Sequence, residues 1–124
     1  MERRPLNKLL FPKKPEKKRR LRHPPSILHN KADRTCYLCM LLDQNYRRYR
    51  HLHEHHIFGG LANRPISEAN GLKVYLCLSH HYEGPENVHS NAGNMELLRQ
   101  EGQRAFERTH TREEFMKLIG KNYL

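Results

Sequence analysis

Six of the ten histidines lie between His51 and His81, at positions 51, 53, 55, 56, 80 and 81, while two of the three cysteines precede that stretch and the third falls inside it. Neutral imidazole binds metal ions and exchanges protons near neutral pH, so this density points to metal and proton chemistry more than to packing. Cys36-Tyr-Leu-Cys39 places two thiols with two residues between them, and Cys77-Leu-Ser-His80 repeats the spacing with a thiol and an imidazole. That interval lets a tight turn aim both donors at one ion, and the two pairs together make a Cys3His zinc clamp. Free buried thiols are the weaker reading because the spacings pair up. A catalytic cysteine is weaker still, since no thiol stands apart with its own base. Residues 40–76 separate the halves of the clamp, and a gap of that size must hold structure of its own.

The elements that position these donors follow from periodicity and from turn residues. Arg50 to Phe58 fits a strand with His51, His53 and His55 on one face and Leu52, Glu54 and His56 on the other. Gly59-Gly60 ends it. Residues 61–69 read as a loop because Pro65 opposes a helix, with Asn63, Arg64 and Ser67 available to tie it down. Asn70-Gly71 turns the chain into a second strand, Leu72 to Cys77. His80-His81 open a short helix or turn that Gly84-Pro85 stop. Met95 to about Arg108 is a helix with Met95, Leu98, Gly102, Ala105 and Phe106 on its apolar stripe. Thr111-Arg-Glu-Glu114 is a capping box opening a last helix, which buries Phe115, Leu118 and Ile119 and closes at Gly120. Met40 to Arg50 is a polar connector without an assigned structure, and Ser26 to Leu28 is the first anchored segment. His23, His29, His51 and His110 read as surface residues. His53 reads equally as a ligand, as a support for His55 or as a buried strand position.

Composition bounds what such a unit can be. A chain of 124 residues that is 36% hydrophobic and has no tryptophan forms one small core, for which a metal is a natural staple. Three cysteines without a preceding signal sequence fit a reducing, cytoplasmic compartment, and no apolar run is long enough to span a membrane. The net charge of +10 is uneven. Residues 1–25 carry ten Lys/Arg against Glu2 and Glu16, and the remainder carries thirteen against eleven. A disordered, proline-rich basic arm therefore precedes a nearly neutral domain spanning 26–124, an arrangement suited to a polyanion such as nucleic acid.

The order of EHHI, a loop, LCxxHH and VHSN resembles the HNH endonucleases of ββα-metal fold. From roughly Ser26 to Leu124 it more closely resembles small HNH-like proteins of phages and prophages in bacteria of low genomic GC, through HHIFGG, YLC, HH, VHxN and the ending REEFMKLIGKNYL. It is distantly similar to phage recombination-enhancement nucleases. The resemblance implies an α+β, zinc-stapled ββα-metal core with two C-terminal helices, and metal-dependent hydrolysis of DNA phosphodiester bonds. It implies His56 as general base and His55 as ligand of a catalytic Mg²⁺, Mn²⁺ or other divalent ion, with His81 and His89 completing the shell and Asn91 orienting a ligand or water. On an ideal strand the two adjacent histidines diverge, so these roles require the pleat to be lost near Gly59-Gly60, and a swap of roles stays open. Arg64, Lys73 and the arm would hold the DNA backbone, and a phage or host recombination protein is a candidate partner. The middle asparagine of the family has its nearest counterpart in Asn70, at an imperfect offset. The alternative is a non-catalytic zinc-stapled module that binds nucleic acid or protein. Metal identity, substrate structure and oligomeric state stay open.

Overall fold

The computed structural model describes residues 23–124. The expected basic arm falls, up to residue 22, outside the described residues. Two short strands form an antiparallel pair, β1 (His53–His56) and β2 (Lys73–Leu76), in the register His53↔Leu76, Glu54↔Tyr75, His55↔Val74 and His56↔Lys73. β1 is shorter than the expected Arg50 to Phe58, but the alternation predicted for its centre holds. His55 is buried while Glu54 is exposed. All four residues of β2 are buried. The pair therefore runs through the middle of the molecule, and a core of Leu38, Ile57, Leu72, Leu76, Leu98 and Phe115 surrounds it. Among the described residues no helix is long and apolar enough to cross a membrane.

Helix α1 (Tyr37–Asp43) starts immediately after Cys36, so the first residues of the supposed polar connector are helical. It stops at Gln44, whose left-handed backbone lets its amide reach the carbonyls of Cys39 and Met40. Helix α2 (Gly60–Asn70) corrects a larger expectation, because residues 61–69 are not a loop. Pro65 removes a backbone donor, but the carbonyl it would have served belongs to Leu61, a residue that is 99% exposed. Water can satisfy that carbonyl, so the helix tolerates the proline. Ser67 supplies the compensating tie: its hydroxyl donates to the Phe58 carbonyl at 2.8 Å and accepts the Phe58 amide at 3.1 Å. Sequence between the strands is thus a helix packed on the end of β1.

Gly71 ends α2 with φ at +69°, and a Cβ there would sit 2.5 Å from the Pro25 carbonyl oxygen. The close approach is what anchors the N-terminal segment. The Ile27 amide donates to the Gly71 carbonyl at 2.9 Å, and the Ser26 hydroxyl donates to the Lys73 carbonyl at 2.6 Å. After β2 a π-helical turn (Ser79–Glu83) carries His80 and His81. Helix α3 (Ala92–Phe106) and helix α4 (Arg112–Ile119) follow, the second with the capping box of Thr111 and Glu114 complete and Gly120 as its left-handed cap. Gly102 lets α3 lie directly on Ile57 and Phe58 at the end of β1.

Candidate functional site

Cys36 precedes α1 and Cys39 lies in its first turn, while Cys77 directly follows β2 and His80 is the second residue of the π-helical turn. These four side chains, all buried, bring their donor atoms within 4.8 Å of one another. His80 Nδ1 is 3.5 Å from Sγ of Cys36, of Cys39 and of Cys77, and the Cys39 and Cys77 sulfurs are 3.9 Å apart. One imidazole nitrogen cannot donate a single hydrogen to three sulfurs. Zinc bonds of about 2.3 Å to sulfur and about 2.0 Å to nitrogen, at tetrahedral angles, give edges of about 3.8 Å and about 3.5 Å, so this donor set fits zinc. Burial pushes the Cys36 thiol up to about 12 and raises Cys39. Thiolates there need a cation beside them. The far nitrogen of His80 faces Glu86 at 3.7 Å, and Tyr49 Oη lies 3.2 Å from Cys39 Sγ. Such outer partners orient ligands and tune them.

A second group lies on the His55 face of β1. His55, His81 and His89 bring one ring nitrogen each within 4.8 Å of one another, from β1, the π-helical turn and the segment before α3. His55 and His81 are buried and His89 is exposed. His55 Nε2 is buried with no hydrogen-bond partner among the described residues, which is costly unless a ligand meets it. The donors therefore fit a metal ion here as well. Burial lowers His55 to about 3 and His81 to about 4, with the neighbouring imidazoles adding to the effect. Both stay neutral near pH 7, the form that coordinates metal. His53 Nδ1 is 2.8 Å from His81 Nδ1, so His53 supports His81 rather than His55.

The pleat is kept through His56, against the expectation that it would be lost. His56 consequently faces away from the His55 group, and its Nε2 donates to Glu68 Oε1 at 2.7 Å. Glu68 belongs to α2, which is why a loop reading could not find it. That hydrogen bond, with support from His23 and Lys73, holds the Glu68 carboxyl down at about 2. Glu54, His56 and Glu68 would make a third donor group, but the Lys73 ammonium is 3.0 Å from a carboxylate oxygen of each glutamate. An ammonium already balances their charge.

Lys73 was expected on the DNA backbone, and the structure corrects this: it is buried and spent on Glu54 and Glu68. Asn91 caps α3, its side chain accepting the Asn94 amide at 2.9 Å, which is a structural task. Asn70 donates to the Ile66 carbonyl within α2 and does not join the histidines. His29 is not a surface residue either. Its Nε2 accepts the Tyr75 amide at 3.0 Å along the open edge of β2, and burial lowers it to about 4.

Despite facing opposite ways, His55 and His56 line one cavity of about 460 Å³ with Glu54, Gly59, Gly60, Arg64, His81, Tyr82, His89, Met95 and Arg99. The cavity sits where β1 gives way to Gly59-Gly60, so both faces of the strand reach it. Arg64 comes from the start of α2. Arg99, unanticipated, comes from α3 one turn after Met95, a spacing that puts both on one helix face. Tyr82 stacks on His89 with ring centroids 4.8 Å apart and planes 10° from parallel. No protein-family model, curated protein or solved structure matches the chain.

Proposed function

We propose that the chain is a metal-dependent phosphodiester hydrolase of HNH type acting on DNA. The observation that supports this reading best is the convergence of His55, His81 and His89 on an open cavity, with His55 Nε2 buried and unpartnered. A closed structural site fills its donors and excludes water, whereas a reactive site keeps a side open to substrate. Three imidazoles favour a nitrogen-binding transition ion over Mg²⁺, which prefers oxygen ligands and keeps its waters. When bound, such an ion supplies stabilisation of charge on the scissile phosphate and on the departing oxygen.

The chain's own residues supply the remainder. His56 is the general base: with Nε2–H donated to Glu68, the lone pair is on Nδ1, ready to take a proton from water. Glu68 fixes that tautomer and steadies the imidazolium that forms. Arg64 and Arg99, on the same cavity, hold the phosphate without reading sequence. His53 keeps His81 in place.

The test is plasmid nicking with Mg²⁺, Mn²⁺, Ni²⁺ or Zn²⁺, combined with a metal inventory. The parent should bind two ions per chain and nick DNA. His55→Ala should keep one ion and lose nicking. His56→Ala should keep both ions while nicking falls by roughly 10²-fold or more. A parent inert with every ion, or a His56→Ala variant as active as the parent, would leave the zinc-stapled binding module as the function.

A further inference from the structure

Residues 44–50, Gln-Asn-Tyr-Arg-Arg-Tyr-Arg, join α1 to β1 and contain three arginines and no carboxylate. They are not loosely held. Thr35 and Arg48 form an antiparallel bridge, the Tyr49 amide donates to the Arg34 carbonyl at 2.8 Å, and the Arg34 guanidinium donates to the Arg50 carbonyl at 3.1 Å. Tyr49 reaches the clamp itself, 3.2 Å from Cys39 Sγ, and the Arg47 guanidinium lies 5.1 Å over the Tyr49 ring. The segment is therefore fastened to the zinc clamp beside both Cys36 and Cys39.

Two separate pieces of chain thus present Arg34, Arg47, Arg48 and Arg50 side by side, all exposed. Among the described residues none of the four makes an ion pair with a carboxylate. Tyr46 is 67% exposed at the tip. An ordinary solvated face mixes both signs and uses flexible lysines. Here the cations are guanidiniums, whose planar forks match phosphate oxygens, on a backbone already ordered. Ordering the backbone beforehand removes an entropy cost that a flexible arm meets on binding.

We infer that the clamp-anchored strip Arg34, Arg47, Arg48 and Arg50 is a phosphate-backbone docking surface for a nucleic acid strand that continues into the His55 cavity. Arg50 is five residues from His55, which lines the cavity, so along the chain the strip ends at most about 18 Å from that residue. That is roughly five nucleotide rises of 3.4 Å, within the reach of one strand lying along both. The inference rests on the nucleic-acid partner of the preceding reading but not on its chemistry. A zinc-stapled module without turnover would use the same strip.

Binding of the full chain to a 20-base-pair duplex of mixed sequence, without added divalent ion, tests it across a salt series. The Arg47→Gln/Arg48→Gln/Arg50→Gln variant removes three guanidiniums, that of Arg47 over Tyr49 among them, and its retained zinc reports an intact fold. The expected result is a slope of log affinity against log salt reduced by about 2 to 3, close to 0.9 per lost phosphate contact. Should the triple variant fail to hold zinc, Arg48→Gln alone should reduce the slope by about 0.9. A slope unchanged in a zinc-loaded variant overturns the inference, as does an unchanged slope with lost binding to an acidic polypeptide such as polyglutamate. Binding is read apart from nicking. An inert parent with the reduced slope refutes hydrolysis alone, and an active parent with an unchanged slope refutes the strip alone.

Discussion

The two groups of metal donors share the turn that follows β2, through His80 and His81, and differ in almost every physical respect. The cysteine clamp draws donors from chain segments far apart in sequence, buries all four and sets them at the edge lengths of a tetrahedron. The histidine group is buried on two sides and open at His89, and it leaves His55 Nε2 without a partner. A closed set of donors lowers the energy of one fold, because an ion there joins segments that the unfolded chain keeps apart. An open set contributes less to the fold and keeps the ion accessible. The comparison teaches that one small chain can keep a closed set of donors apart from an open one, even though His80 and His81 are consecutive residues of the same turn.

The strongest way to break the comparison is to remove zinc. Cys77→Ser, or chelation of the parent, should unfold the described domain, since a structural zinc contributes on the order of 10 kcal/mol. Circular dichroism should show lost helix, whereas His55→Ala should leave the spectrum unchanged. Equal structural losses from both would erase the distinction. His53→Ala should weaken binding of the second ion by roughly 10- to 100-fold through loss of support to His81, with the clamp ion untouched. Titration calorimetry on zinc-loaded protein reads this directly.

Lys73→Met sharpens the comparison at the third donor group. It leaves Glu54 and Glu68 facing each other without their ammonium, and stability in denaturant should fall by about 2 kcal/mol, discounted because both carboxylates are partly exposed. Acid provides a separate control through His29, whose folded value of about 4 lies below its ordinary 6.5. The neutral ring accepts the Tyr75 amide, so the folded chain binds fewer protons than the unfolded one between those values. Its contribution is complete above about pH 6.5 and is lost as pH falls toward 4. His29→Gln, a non-titrating acceptor, should flatten the corresponding part of the melting-temperature profile, separating acid loss at β2 from acid loss of metal. The smallest effect is expected far from both metal groups: Thr111→Ala should cost about 1 kcal/mol of stability by removing the capping box, with metal content and nicking unchanged.

Some of this organisation could be read from residue spacing and some could not. Cys36, Cys39, Cys77 and His80 were legible because a two-residue interval constrains donor direction locally, whatever lies between the pairs. The capping box and Gly120 were legible for the same reason. Helix α2 was not, because the penalty at Pro65 depends on whether the Leu61 carbonyl can reach water, and that is a property of the folded surface. With α2 misread, Glu68 and its hold on His56 had no place to appear. Lys73 looked like a phosphate ligand because basic residues usually face solvent, yet its strand is buried on both faces.

What the amino-acid sequence determined alone was chemistry of short range: which donors pair, where helices cap, and that adjacent residues on a strand face opposite ways. Only the tertiary structure decided which distant groups meet. It placed His89 beside His55, His53 against His81, Glu68 on His56, and Arg34 beside the strip before β1. The physical reason is that a donor's spacing is set by covalent geometry within a few residues, whereas its partner, burial and charge depend on what the packed core brings alongside.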